Sequence, residues 1–459
     1  MPDKLNVENG ALNPQLLVDR YRCGGDAVNF ALLGDLRPGQ GYFRFGDNVI
    51  CYGQCADGET LNSPTLPLYD ALDRVIIRDA RVWLPFDPTQ VVDNLRSERY
   101  RQNAGDFKAL PGVEMLRSCY YLLRPLMPVG FRKHLQRFYF KGWQHIPFPE
   151  WPVDCTVELL HERLLTLALK ATRGTPIPFI WFWPKGAPSC TIVTHDVETS
   201  LGISLCHDLM DLNDSFSIKT SFQLVPEERY VVDDALLAGI RSRGFEVNVH
   251  DLNHDGRLYR DKAEFLRRAE LINQYIRRFG AEGFRSAIMY RNLDWYQAFD
   301  VKYDMSVPNV SHLEPQQGGC CTVMPFFVGN IVELPVTMTQ DYTLFHILEQ
   351  YSTEVWFEQS RRIRQKNGLL SVIVHPDYIH SDKAVQVYKD LLAHITELRS
   401  AGQTWIALPK EVAAWWRTRS NLTIARRGDS WSIEGEGKEQ ASLAYASLDG
   451  ESLRYDLAP

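Results

Sequence analysis

The sequence predicts an α/β protein built on a (β/α) barrel, and three observations predict it. Eight short apolar runs recur between residues 190 and 409, each bounded by turn residues. Longer stretches with apolar residues three and four apart lie between them, the spacing of amphipathic helices. Histidines and acids gather at the carboxyl ends of the runs, the rim on which a barrel carries its chemistry. Strands alternating with helices give a parallel sheet, and seven or eight such units in about 230 residues suit a closed or nearly closed barrel.

In chain order the strand candidates are CTIVTHDVE (190–198), TSFQLVP (220–226), FEVNVH (245–250), GFRSAI (283–288), YDMSVP (303–308), IVELPV (331–336), LLSVIVHP (369–376) and TWIALP (404–409). The clearest helices are KAEFLRRAELINQYIRRF (262–279) and AVQVYKDLLAHITELRSA (384–401). Before the barrel, residues 1–150 hold short runs such as GYFRFGDNVICYG and RVWLPF, broken by Gly, Pro and Asp, which read as a small mixed α/β module. The barrel domain is assigned to 151–418. After it, residues 419–459 fall to a period of two with Gly-Asp and Asp-Gly turns, a β appendage of three or four short strands.

Composition removes several classes. The 459 residues carry 50 Lys and Arg against 57 Asp and Glu, a formal net charge of −7, which lacks the basic footprint of a nucleic-acid binder. Eleven Trp, 20 Tyr and 22 Phe argue against disorder. The first residues show no secretory apolar segment and no run is long enough to span a bilayer, so a cytoplasmic location is expected. Nine scattered cysteines form no paired C-x-x-C and are expected to be free thiols. One stretch departs from the average: residues 115–149 contain no Asp or Glu, while Arg117, Arg124, Arg132, Lys133, Arg137 and Lys141 alternate with aromatics. It suggests peripheral contact with an anionic membrane surface, or with a charged glycan, or a packed linker.

The chemistry is expected at five run ends: Thr194-His195-Asp196-Val197-Glu198, His250 through Asp255, Arg285, Asp304, and His375-Pro376-Asp377-Tyr378. His250 and His254 are four apart, so a helical turn there points both imidazoles toward one ion. Asp196 or Glu198 then completes a set of two His and one carboxylate, which leaves coordination positions open for catalysis. The other carboxylate serves as general base toward water, and His375 protonates a leaving group from the opposite side. His161, His207, His346 and His394 lie in helical patterns, His312 and His380 in loops, and His134 and His145 in the basic stretch; these read as structural or solvated.

The order T-H-D-V-E, H-x-x-x-H, F-R, Y-D-x-S and V-H-P resembles the polysaccharide deacetylases of the NodB type, carbohydrate esterase family four, over roughly residues 185–418. The resemblance implies a distorted (β/α) barrel that holds one divalent metal ion, with zinc first in line, and removes N- or O-acetyl groups from a polysaccharide, oligosaccharide or glycolipid. The family's first motif is commonly T-F-D-D-G; here His195 replaces the aromatic and Val197 the ligand Asp. The subgroup with D-x-E fits better, and implies Asp196 as base and Glu198, His250 and His254 as metal ligands. It further implies Arg285 as the residue that positions Asp196, His375 as general acid, and an oxyanion-holding backbone N–H between Ile288 and Tyr290. Asp304 is a loose match to the orienting acid of the family's fourth motif. Two other readings remain: an inert glycan-binding relative, and a glycoside hydrolase using Asp196 with Glu198 or Asp304 as its acid pair.

Overall fold

The structure is a computed structural model that describes residues 12, 15–25, 29–65, 67–102, 135–428 and 430–458. The part of the basic stretch from 115 to 134 lies outside the described residues. Contacts divide the chain into two compact units.

The first unit gathers residues 1–107, 155–186 and 417–459. Its helix Thr156–Ala171 buries Val157, Leu160, Leu164, Leu165 and Ala168, the three-and-four spacing that makes one apolar face. The two early runs form strands: Gly41–Arg44 pairs antiparallel with Ile50–Gly53, and Arg81–Leu84 lies between Phe30–Leu32 and Ile76–Arg78. The tail supplies two hairpins, Thr423–Arg427 with Ser430–Glu434 and Leu443–Asp449 with Ser452–Leu457. Strand Leu443–Asp449 also pairs with Ile177–Ile180. Arg419, 1% exposed, donates to the carbonyls of Arg20, Ile180 and Trp181.

The second unit, residues 108–154 and 187–416, carries the barrel. Its strands are β1 (Cys190–Val197), β2 (Ser221–Leu224), β3 (Glu246–His250), β4 (Gly283–Arg285), β5 (Tyr303–Asp304), β6 (Phe326–Val328), β7 (Ile331–Glu333), β8 (Leu369–Ile373) and β9 (Trp405–Ile406). Their order is β6-β7-β5-β4-β3-β2-β1-β8, with β9 also against β1. Only the β6–β7 pair is antiparallel; the other neighbours run parallel. The sheet curls into a half-barrel, the distorted barrel that the alternation of strand and helix predicts. Beyond β7 the chain reaches β8 without a regular strand: Thr337 Oγ1 donates to the Leu369 carbonyl at 2.7 Å and accepts from the Ser371 amide at 2.9 Å.

β1 is buried along its whole length, as a central parallel strand covered on both faces must be. Helix α1 (Ser200–Ser215) follows it, capped by Thr199, whose side chain accepts from the Gly202 amide. α2 (Asp234–Ser242) joins β2 to β3, and α3 (Lys262–Phe279) joins β3 to β4. α3 starts at Asp261, which caps the Glu264 amide, and stops at Gly280, whose φ of +54° suits a residue without Cβ. α4 (Glu354–Gln365) and α5 (Asp382–Ser400) flank β8. Gly283 on β4 is required by close approach, since a Cβ there would lie 2.2 Å from the Tyr303 ring. The eight cysteines among the described residues are free thiols.

Candidate metal and acid–base site

Alternation along β1 separates its polar residues. Thr194 and Asp196 face one way, His195 the other. His195 therefore lies among helices: its Nδ1–H donates to the Val374 carbonyl at 3.1 Å, and Asn213 donates to its Nε2 at 3.0 Å. Burial lowers its pKa to about 3, so it is a neutral packing residue and does not enter the cluster.

Asp196 meets Arg285 instead. Arg285 is wholly buried and donates through Nη1 to Asp196 Oδ1 at 2.7 Å and to Thr194 Oγ1 at 2.8 Å, and through Nε to the Met305 carbonyl at 2.9 Å. Burial alone would raise the Asp196 pKa; Arg285, with His250 beside it, outweighs that and holds the carboxyl below its usual range. Asp196 is thus held ionised, its carboxylate fixed by an arginine from β4, three strands away in the sheet order.

His250 ends β3, and its Nδ1–H donates to the Arg285 carbonyl at 3.1 Å, which turns Nε2 inward as a lone-pair donor. The turn after β3 is not the helical one that the spacing suggests. Asp251 and His254 both have left-handed backbone, with φ of 56° and 55°. The Asp251 carboxylate stabilises that bend by accepting from the Leu252 amide at 2.6 Å and the Ala287 amide at 3.3 Å. Arg229 holds the same turn through the carbonyls of Asn253 and His254. The bend still brings the two imidazoles together, with ring centroids 4.9 Å apart.

Glu198 stands just past the end of β1 and faces both histidines. Its Oε1 is 2.9 Å from His254 Nε2 and 3.8 Å from His250 Nε2. Desolvation would raise its pKa, yet the histidines around it hold it well below the ordinary carboxylate range. The ligand atoms of Glu198, His250 and His254 lie within 4.8 Å of one another. Both histidine Nε2 atoms are buried and lack a hydrogen bond of normal geometry, which two oriented lone pairs and one carboxylate aimed at a shared cation explain. The donor set fits a divalent ion.

His375 enters from the opposite side at the end of β8, its Nε2 3.5 Å from Glu198 Oε1. Its backbone N–H donates to Asp341 Oδ2 at 2.7 Å and its Nδ1–H to Asp341 Oδ1 at 2.6 Å. Desolvation works against its charge, but Asp341 and then Glu198 prevail and raise its pKa well above the usual histidine value. Asp341 was not among the residues singled out from the sequence. It follows several irregular residues after β7, so no strand end marks it. Asp304, the loose match to the orienting acid of the fourth motif, accepts from Ser306 and Tyr296 and pairs with Glu333 on β7.

After Arg285 the chain makes a tight turn in which Ile288 and Met289 have φ of 58° and 52°. A β-branched residue in that region is strained and needs its surroundings to hold it there. Tyr290 is buried, and its N–H is committed to the Ala287 carbonyl at 3.2 Å.

Solved structures of carbohydrate deacetylases are similar to this chain. A proposed polysaccharide deacetylase from Mycobacterium smegmatis is 15% identical with a TM-score of 0.42, over 55% of this chain and 98% of that one. A peptidoglycan deacetylase from Bacillus subtilis is 9% identical with a TM-score of 0.32, over 50% of this chain and 93% of its own. A family 4 acetyl xylan esterase from Clostridium thermocellum, solved with a cobalt ion, is 14% identical with a TM-score of 0.31, over 50% and 91%. No family model matches the sequence, and no curated protein does. Among the described residues, no helix is long and apolar enough to cross a membrane.

Proposed function

We propose that the protein is a metal-dependent hydrolase that removes N- or O-acetyl groups from a polysaccharide, oligosaccharide or glycolipid intermediate. The observation that carries this reading is the convergence of Glu198, His250 and His254 between an Arg-held carboxylate and an Asp-held histidine. A divalent ion held by those three residues, zinc in the first instance, supplies a Lewis acid and an acidified water.

The protein's own groups divide the remaining work. Asp196, kept ionised and oriented by Arg285, takes a proton from the attacking water. His375 presents Nε2 to the site because Asp341 engages Nδ1, and gives its proton to the departing amine or alkoxide. The amides of Ile288 and Met289 are the candidates to hold the oxyanion.

Two rival readings fit less well. For a carboxylate-pair glycosidase, Asp304 is wholly buried beside a second carboxyl, and Glu198 is engaged with His254. For an inert relative, the apolar Val197 at the usual ligand position is offset by Glu198 one residue on, 2.9 Å from His254. The test is acetate release from acetylated chito- and xylo-oligosaccharides, before and after chelation. Release that stops with chelator and returns with zinc or cobalt supports the reading; release indifferent to chelator contradicts it. Contact of the 115–149 stretch with an anionic membrane belongs to the same proposal and is tested by vesicle sedimentation.

A further inference from the structure

Beside His375 the barrel rim carries a cluster of rings that the hydrolytic chemistry does not use. Tyr378, in the turn directly after His375, packs its ring 4.9 Å from the His375 ring. Tyr342 and His346 come from the segment after β7 and meet Tyr378 at 5.5 Å and 5.0 Å, and each other at 5.3 Å. All three remain partly exposed, whereas Phe345 on the same segment is buried at 3%. Apolar rings left partly wet at the edge of a polar site are the usual lining of a ligand pocket.

The rings are also held in place from behind. His346 lies in a π-helical turn, Thr343–Ile347, a local irregularity that recurs at functional sites. Helical residues 135–139 clamp that turn: Arg137 donates to the His346 carbonyl at 3.1 Å and pairs with Glu349, and Gln136 bonds the Tyr342 hydroxyl. Clamping lowers the ordering cost of binding. The same residues explain why His346, read as structural from its helical pattern, faces the rim.

We infer that Tyr342, His346 and Tyr378 form a stacking wall for the pyranose ring next to the one that bears the acyl group, so that the preferred substrate is an oligosaccharide and not a single sugar. This rests on the hydrolase reading for the place of the acyl group, but not for binding itself. Pyranose rings offer an apolar C–H face to an aromatic ring, which matches the partly exposed rings of the wall.

The test measures calorimetric Kd in Asp196→Asn protein, and KM and kcat in the active protein, for N-acetylglucosamine oligomers and acetylated xylo-oligomers of one to five units. Tighter binding by about tenfold from one unit to two or three is expected. Tyr342→Leu and His346→Leu should each lose most of that gain while turnover of 4-nitrophenyl acetate stays within about twofold, and Tyr342→Phe should keep it. Length-independent binding, or equal loss on oligomers and 4-nitrophenyl acetate, overturns the inference. Length-dependent binding without acetate release leaves the wall standing and overturns the hydrolase reading; acetate release without length dependence does the reverse.

Discussion

Asp196 and Asp304 both lie in barrel strands, both are buried, and both come from sequence runs that look alike. Asp196 faces a guanidinium from β4 at 2.7 Å, and its pKa is held down against burial. Asp304 is in register with Glu333 on β7; burial raises its pKa, and burial together with Asp304 raises that of Glu333 well above the ordinary range. One is held ionised, and the other belongs to a carboxyl pair that shares a proton. The difference teaches that the end of a strand nominates a residue, while the side chain that another strand sets against it decides what it can do.

The sharpest way to break that comparison is to neutralise each acid in turn. Asp196→Asn should lower kcat for acetate release by about 10³-fold, within the range for a lost general base. Asp304→Asn should leave kcat within about twofold, since its side chain bonds neither Asp196, His375 nor the proposed metal ligands. Equal losses would remove the distinction. A smaller effect is expected at the acid that serves His375. Asp341→Asn should lower kcat by about 10- to 100-fold, with a greater loss on an acetamide than on an acetate ester, because an amine leaves poorly without a proton. Parallel losses on both substrates would argue that Asp341 acts only through folding.

The smallest effect concerns stability. A raised carboxyl pKa contributes stability that is complete below about pH 4.5, the ordinary glutamate value, and is lost as pH rises through the folded value. Glu333→Gln keeps a donor toward Asp304 that cannot titrate. The variant should match the parent near pH 4 and exceed it by about 1–2 kcal/mol at pH 9, measured by urea unfolding across that range. An advantage at low pH instead would contradict the shared-proton account.

Much of this was legible in the sequence because strands and helices differ in period and because buried parallel strands end abruptly at polar residues. That places Asp196, Glu198, His250 and His375 on one rim. Three features left no such mark. Asp341 lies 34 residues before its partner, on backbone without strand pattern. The left-handed backbone of Asp251 and His254 is held by distant groups, the Ala287 amide on the Asp251 carboxylate and Arg229 on the His254 carbonyl, not by local propensity. The pairing of Leu443–Asp449 with Ile177–Ile180 joins segments more than 250 residues apart, which no local pattern encodes. His195 shows the converse: adjacency to Asp196 suggested a role, but alternation along β1 turns it away.

The most direct test of the account is metal content, measured by elemental analysis on the parent protein and three variants. About one divalent ion per chain is expected in the parent and in Asp196→Asn, and near none in Glu198→Ala and His250→Ala, all remaining folded. Equal metal in all four proteins would contradict it.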